Sequence, residues 1–160
     1  MSEEKTEPTK EQRLKERFSN DDLEWRVQRS GLKGDKPWAM ILVYVTSRAI
    51  MDRLDLVMGP ANWKDEYVHL PNGIECRLSL KIGKEWVTKV DGAPLTQVES
   101  FKGGYSDALK RAAVKWGVGR YLYNVPSTFA TFVPKKTATS RKSEIPPKSK
   151  KYYNWEAPKI

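Results

Sequence analysis

Apolar and polar positions alternate most clearly in the middle of the chain. Ile74, Cys76, Leu78, Leu80 and Ile82 fall on one side of an extended segment, with Glu75, Arg77, Ser79 and Lys81 on the other. That period of two marks a strand with one buried face. A candidate strand at Trp63–Leu70 precedes it across Pro71-Asn72-Gly73, and Asn-Gly is the strongest short hairpin signal. Gly83-Lys84 turns the chain into a third strand, Glu85–Val90, which ends at Asp91-Gly92. The pattern predicts an antiparallel meander whose second face is wet and mixed in charge.

The period then changes. At about 100° per residue, Val98, Phe101, Tyr105, Ala108, Leu109, Ala112, Ala113 and Trp116 share one arc, predicting a helix from about Thr96 to Trp116 packed on the sheet. Gly103-Gly104 inside it would cost about 1–2 kcal/mol if fully helical, which predicts a break or a close backbone approach. Gly117 and Gly119 stop the helix, and Arg120–Pro126 reads as extended. Upstream, Pro8–Phe18 suits a short amphipathic helix with Leu14 and Phe18 on one face. Leu23–Gln28 reads as a half-buried strand, Gly31–Pro37 as a turn or loop, and Trp38–Val45 as a buried strand. Thr46 caps a helix through about Met58, closed by Gly59-Pro60. The order implies an α+β fold: an antiparallel three-stranded β-meander packed against a long helix (a β-β-β-α core), with an additional N-terminal strand and short helices.

Composition narrows the partner. The chain has 160 residues, with 29 Lys and Arg against 20 Asp and Glu, a formal charge of +9. That length fits one domain with tails, and the basic balance favours nucleic acid first and an anionic membrane surface second. The charge is uneven. Residues 1–17, a charged N-terminal segment with its short helix, are net neutral; the core domain, 18–133, carries +3. Residues 134–160 carry eight basic and two acidic side chains among prolines and hydroxyl residues, which reads as a disordered basic tail.

Other classes lose support. One cysteine and one histidine exclude disulfide frameworks and Cys/His zinc sites. The start of the chain lacks the apolar stretch of a secretory signal. The longest nearly apolar run, Trp38–Val45, falls far short of the roughly 20 residues that span a bilayer. A soluble protein of a reducing compartment is expected. Neither a GxxxxGK[ST] phosphate loop nor a GxGxxG fingerprint is present, so no nucleotide or other cofactor is called for.

Catalytic chemistry finds little footing. His69 and Cys76 flank the Asn72-Gly73 turn, but Cys76 lies on the apolar strand face, where a buried thiol is the commoner role. Asp65, Glu66, Glu75, Glu85 and Asp91 form no spaced metal-binding pattern. Phosphate binding is better served, since it needs Lys and Arg on one surface. Lys110, Arg111 and Lys115 lie outside the apolar arc, with Lys102 before them and Arg120 after. A solvated helix face is the plainer reading of each. Arg48 sits near a helix N-terminus, where the dipole disfavours a cation by about 0.3–1 kcal/mol; a site role or an ion pair with Asp52 would explain it. Trp25, Trp38 and Trp116 fit apolar patterns and are assigned to the core.

Two segments carry a resemblance. Tyr44–Asp55 (YVTSRAIMDRLD) with Gly59–Trp63 (GPANW), and Gly104–Tyr123 (GYSDALKRAAVKWGVGRYLY), resemble the two hallmarks of the Rad-fifty-two superfamily. The likeness is strongest to its Sak-type phage branch and its Deinococcus DNA-damage-response branch. It covers residues 18 to about 126, with both motifs in order around the meander. The resemblance implies a non-enzymatic, ATP-independent protein of recombination and repair that binds single-stranded DNA and anneals it to a complementary strand. It implies a homo-oligomeric ring whose outer basic groove holds the backbone and presents the bases.

By the same resemblance, the inner-groove Lys-Arg pair falls on Lys110 and Arg111, and a groove arginine on Arg48. A third groove arginine of eukaryotic members falls at Val114, so the sequence departs there, with Lys115 beside it. Lys102, Lys115 and Arg120 are secondary candidates. Lys81 and Lys84 near the strand hairpin are candidates for a second, outer site without a residue-level match. The basic tail would add DNA affinity or dock an acidic partner such as a single-strand-binding protein. The expected location is the cytoplasm of a bacterial or phage-infected cell. A metal-dependent nuclease and a non-annealing end-protection protein are the alternatives.

Overall fold

The computed structural model describes residues 6–95 and 100–160, with the side chains of residues 100–102 outside that description. The chain divides into two compact units. The first comprises Met1–Phe18 and Val45–Tyr121, the second Ser19–Tyr44 and Leu122–Ile160.

The first unit is built on the meander. β3 (Trp63–Leu70), β4 (Gly73–Ile82) and β5 (Glu85–Pro94) form an antiparallel sheet in that order. β3 pairs with β4 from Trp63↔Leu80 to Leu70↔Gly73, and β4 with β5 from Gly73↔Pro94 to Ile82↔Glu85. Ile74, Cys76, Leu78 and Leu80 are buried, while Ile82, at the turn, is half exposed. α3 (Ser100–Lys115) packs on β4 and β5, burying Ala108, Leu109, Ala112 and Ala113. Small alanines on that face let the helix lie close to the sheet. Thr96 and Val98, part of the expected helix, lie outside the described residues. The helix runs through Gly103-Gly104 without a break, so the close approach is the alternative that the structure takes. A Cβ on Gly104 would stand 2.6 Å from Ile74 Cδ1.

α3 ends where the glycines require. Val118 N–H bonds to Ala113 O at 3.0 Å and Gly117 N–H to Val114 O at 2.9 Å, with Gly117 at φ 93°. This is a Schellman termination, which favours glycine at the left-handed position. The chain then makes a 3₁₀ turn at Arg120–Asn124 rather than the extended segment expected, because a backbone bond such as Val125 N to Leu122 O (3.1 Å) closes it locally.

α2 (Ser47–Met58) begins at Thr46, whose hydroxyl accepts from Ala49 N–H at 3.2 Å, and ends at Gly59. Ala49, Ile50, Leu54, Val57 and Met58 are its buried side. α1 covers Lys10–Leu14, shorter than the Pro8–Phe18 expected, and opens with a Thr9/Gln12 capping box. Arg53 of α2 explains the early stop. Its guanidinium donates to the carbonyls of Arg13, Leu14, Glu16 and Arg17 at 2.7–3.3 Å and lies over the Phe18 ring at 4.1 Å. Carbonyls taken by that fork no longer need a continuing helix. Leu14 and Phe18 are both buried, as their spacing implied.

The second unit is all β in its regular elements beyond the short turns. β1 (Leu23–Lys33) and β2 (Lys36–Val45) join β6 (Thr128–Phe129) in one sheet; β7 (Thr131–Val133), β9 (Tyr152–Glu156) and β8 (Arg141–Glu144) form another. The loop expected at Gly31–Pro37 is mostly strand. Gly31 reads as a turn residue, but it is a strand position crossed by the Trp38 indole, 3.0 Å from where a Cβ would stand.

Residues 134–160 also differ from the disordered tail expected. Trp155 is 2% exposed and packs with Trp25 and Ile41, its indole N–H donating to Ser143 Oγ at 2.9 Å, and Ile145 is fully buried. A few well-spaced apolar anchors suffice there, and an average over lysines, prolines and hydroxyls hides them. Of the tryptophans assigned to the core, Trp25 is buried, whereas Trp38 and Trp116 are half-buried.

Candidate nucleic-acid interface

The candidate surface lies where the edge strand β5 meets the C-terminal half of α3. Register puts Lys89 opposite Leu78 and Asp91 opposite Cys76, so both point to the helix-covered side of the sheet. On α3, Arg111 and Lys115 are one turn apart and share the edge of the helix nearest β5. The Trp116 indole N–H anchors that end of the helix by donating to Leu78 O at 3.1 Å.

Backbone carbonyls organise the cations gathered there. Arg120 donates from Nε to Val114 O at 2.9 Å and from Nη2 to Lys115 O at 3.0 Å. Lys89 donates to Lys115 O at 3.2 Å and sits 4.6 Å from the Trp116 ring centroid. Lys115 in turn donates to Val90 O of β5. The C-terminal carbonyls of a helix carry partial negative charge and attract cations. They orient these side chains without cancelling a full charge, and Lys89, Lys115 and Arg120 remain exposed. Arg111 differs, since its Nε lies 3.4 Å from Asp91 Oδ1 with about half of its side chain exposed.

The candidates therefore separate. Arg111, Lys115 and Arg120 come together, joined by Lys89, which the sequence pattern missed because only strand register reveals its side of β5. Lys110, half-buried, projects about 100° around the helix from Arg111. Arg48 is exposed on the first turn of α2, away from that helix's buried side; α2 packs on α3, but Arg48 is not part of the β5–α3 cluster. The Lys102 side chain lies outside the described residues. Lys81 and Lys84 are exposed at the β4–β5 turn, with Lys81 on the sheet face opposite α3.

The register does not set His69 and Cys76 opposite each other. His69 pairs with Ile74, and Cys76 pairs with Tyr67. His69 Nε2 lies 2.6 Å from the Tyr105 hydroxyl. Burial pushes the Cys76 thiol up to about 11, so it is protonated at neutral pH. Burial likewise raises the Tyr67 phenol, helped by its hydrogen bond to Asp65. Among the described residues, no group of three or more His, Cys, Asp or Glu side chains stands where it could hold a metal ion. No helix among them is long and apolar enough to cross a membrane.

Comparison with known proteins gives these features a lineage. The chain is similar to the single-stranded DNA-binding protein DdrA of Deinococcus radiodurans, with 30% identity over 139 residues, 85% of this chain and 65% of that protein. DdrA of Deinococcus deserti is 32% identical over 117 residues, 70% of this chain and 56% of that protein. The chain thus spans less than two thirds of either relative. No solved structure matches it significantly. The model of the Rad52/22 family of double-strand break repair proteins matches residues 8–141, a range that takes in both hallmark segments, the meander and the whole β5–α3 cluster. The chain belongs to the Rad52/22 family of double-strand break repair proteins.

Proposed function

We propose that this protein binds single-stranded DNA and anneals complementary strands during recombination and repair, with no nucleotide hydrolysis. The observation that carries this reading is the set of exposed cations at the β5–α3 seam, oriented by carbonyls and so left with their charge. Such a surface attracts phosphate without reading bases, and annealing needs the base edges left open. Pairing is itself downhill, so the protein has only to offset repulsion between two polyanions. The names of the Deinococcus relatives point to the same ligand. Lys110, Arg111 and Arg48 are the proposed principal phosphate contacts on the resemblance of the hallmark segments, of which only Arg111 lies in the seam; Lys89, Lys115 and Arg120 of the seam, and Lys102, support them. A homo-oligomeric ring would join many such surfaces into one groove, and pairing across exposed strand edges offers a way to build it.

Strand annealing without ATP or metal tests this. Two complementary oligonucleotides carrying a fluorophore and a quencher are mixed in chelator, with and without the protein. Accelerated quenching that weakens steeply with salt is expected. A rate no faster than that of the protein-free strands sinks the proposal, and shortened strands on adding Mg²⁺ would favour a nuclease.

Asp91 sets the strength of the surface. Its carboxylate accepts from Gly92 N–H at 2.7 Å as well as facing Arg111. Asp91→Asn keeps an oxygen for Gly92 and removes the opposing charge. A rise of about three- to tenfold in affinity for single-stranded DNA is expected. The change in stability should stay below about 1 kcal/mol, the range of exposed ion pairs. Titration of a labelled oligonucleotide checks the first, and thermal melting the second.

A further inference from the structure

Much of the excess charge of the chain lies outside the β5–α3 seam, in residues 134–160, where five of the eight basic side chains sit on a folded hairpin, Arg141–Glu156. Residues 134–160 have eight basic and two acidic side chains, and both carboxylates have internal hydrogen-bond partners. Glu156 accepts from the hydroxyls of Thr137 and Thr139, and Glu144 accepts from Lys148 N–H. Among the described residues, none of Lys142, Lys148, Lys150 and Lys151 is in an ion pair.

The turn between β8 and β9 is built firmly. Ile145 N–H bonds to Lys151 O at 2.9 Å and Ser149 N–H to Pro146 O at 3.1 Å, while Lys151 N–H bonds to Ser149 Oγ at 3.2 Å. Two residues in it, Lys148 at φ 65° and Lys150 at φ 61°, occupy the left-handed region. A Cβ makes that region unfavourable, and glycine enters it freely. Folding alone would be better served by glycine at both positions, so lysine there points to a use for the charge. Beside the turn, register places Lys142, Glu144, Tyr152 and Asn154 on one sheet face. Tyr152 is 58% exposed, and Lys142 Nζ stands 5.6 Å from its ring centroid.

We propose that this hairpin is a second contact surface for single-stranded DNA, with the Tyr152 ring stacking on a base and Lys142, Lys148, Lys150 and Lys151 holding phosphates. The inference rests on the reading that single-stranded DNA is the ligand, and it adds a site on a different unit of the chain. Glu144, paired across the strands with Tyr152, holds the phenol hydroxyl with its carboxylate and leaves the ring exposed. An exposed ring beside lysines in no ion pair, on an ordered backbone, is how sequence-tolerant single-strand binding is built. An acidic protein segment would use the lysines but not the stacking ring.

The test uses the full chain and two labelled probes, an oligothymidylate and an abasic strand of equal length. Lys148→Gly with Lys150→Gly removes both charges and relieves both backbone positions, so the melting temperature should hold or rise. Affinity for oligothymidylate should fall about tenfold, and the slope of log affinity against log salt should flatten by about 1.4 for two lost phosphate contacts. Tyr152→Ala should weaken oligothymidylate binding at least about fivefold and leave the abasic strand unchanged. Wild-type affinity and slope in both variants would overturn the inference, provided Lys110→Ala with Arg111→Ala still loses binding. A loss in the glycine variant confined to an acidic peptide probe would also overturn it, reassigning the surface to a protein. If the wild-type chain binds neither strand, the proposed function itself fails.

Discussion

Replacing Lys110 and Arg111 together with alanine is expected to abolish strand annealing while leaving the fold and any oligomer intact. Neither side chain is among the fully buried residues of the core. Lys110 is half-buried and Arg111 exposed, and the helix is anchored by Ala108, Leu109, Ala112 and Ala113 on its other side. Alanine is also the best helix former, and the Arg111–Asp91 pair is a surface contact worth at most about 1 kcal/mol. The electrostatic loss runs the other way. Each cation removed forfeits a released counterion, and in an oligomer the loss recurs in every subunit along one strand, so affinity should fall by more than about 100-fold. Annealing kinetics, with mass photometry to follow assembly, decide the matter. Wild-type annealing by an intact double variant would refute these two contacts.

The second large effect concerns stability. Trp155→Ala should cost about 3–5 kcal/mol, the usual loss when a buried tryptophan is truncated. The ring is 2% exposed against Trp25 and Ile41, with Val27, Val43, Val125 and Phe132 packed around them. Its removal also strips Ser143 Oγ of the indole donor. Urea denaturation of the full chain measures the loss. An unchanged midpoint would mean that residues 134–160 contribute nothing to the folded state, as a disordered tail would.

Much of this molecule can be read from local patterns. The period-two run from Ile74, the hairpin after Leu70, the Thr46 cap and the Gly117 stop are each decided within a few residues. The structure puts strands, cap and stop in those places, with the turn on Pro71-Asn72 and Gly73 already paired with Leu70. The same locality explains the misreadings. Gly31 is glycine because Trp38 crosses it, and α1 stops because Arg53, some 40 residues on, takes its carbonyls. Neither partner is visible in a short window.

The basic surface divides in the same way. Helical spacing and the two hallmark segments nominate Lys110, Arg111 and Arg48 as cations of interest, and net charge nominates the partner. Which cations meet depends on contacts distant in the chain. Pairing of β4 with β5 turns Lys89 and Asp91 towards α3, and the end of the helix collects Lys89 and Arg120 on its free carbonyls. The charge of residues 134–160 is plain in the sequence, but the placing of five of its eight basic residues on a hairpin depends on Trp155 finding Trp25 and Ile41. Periodicity and turn chemistry act between neighbours, so one strand of text contains them. Burial and electrostatic grouping act between residues that only folding brings together, and there the chain must be seen in three dimensions.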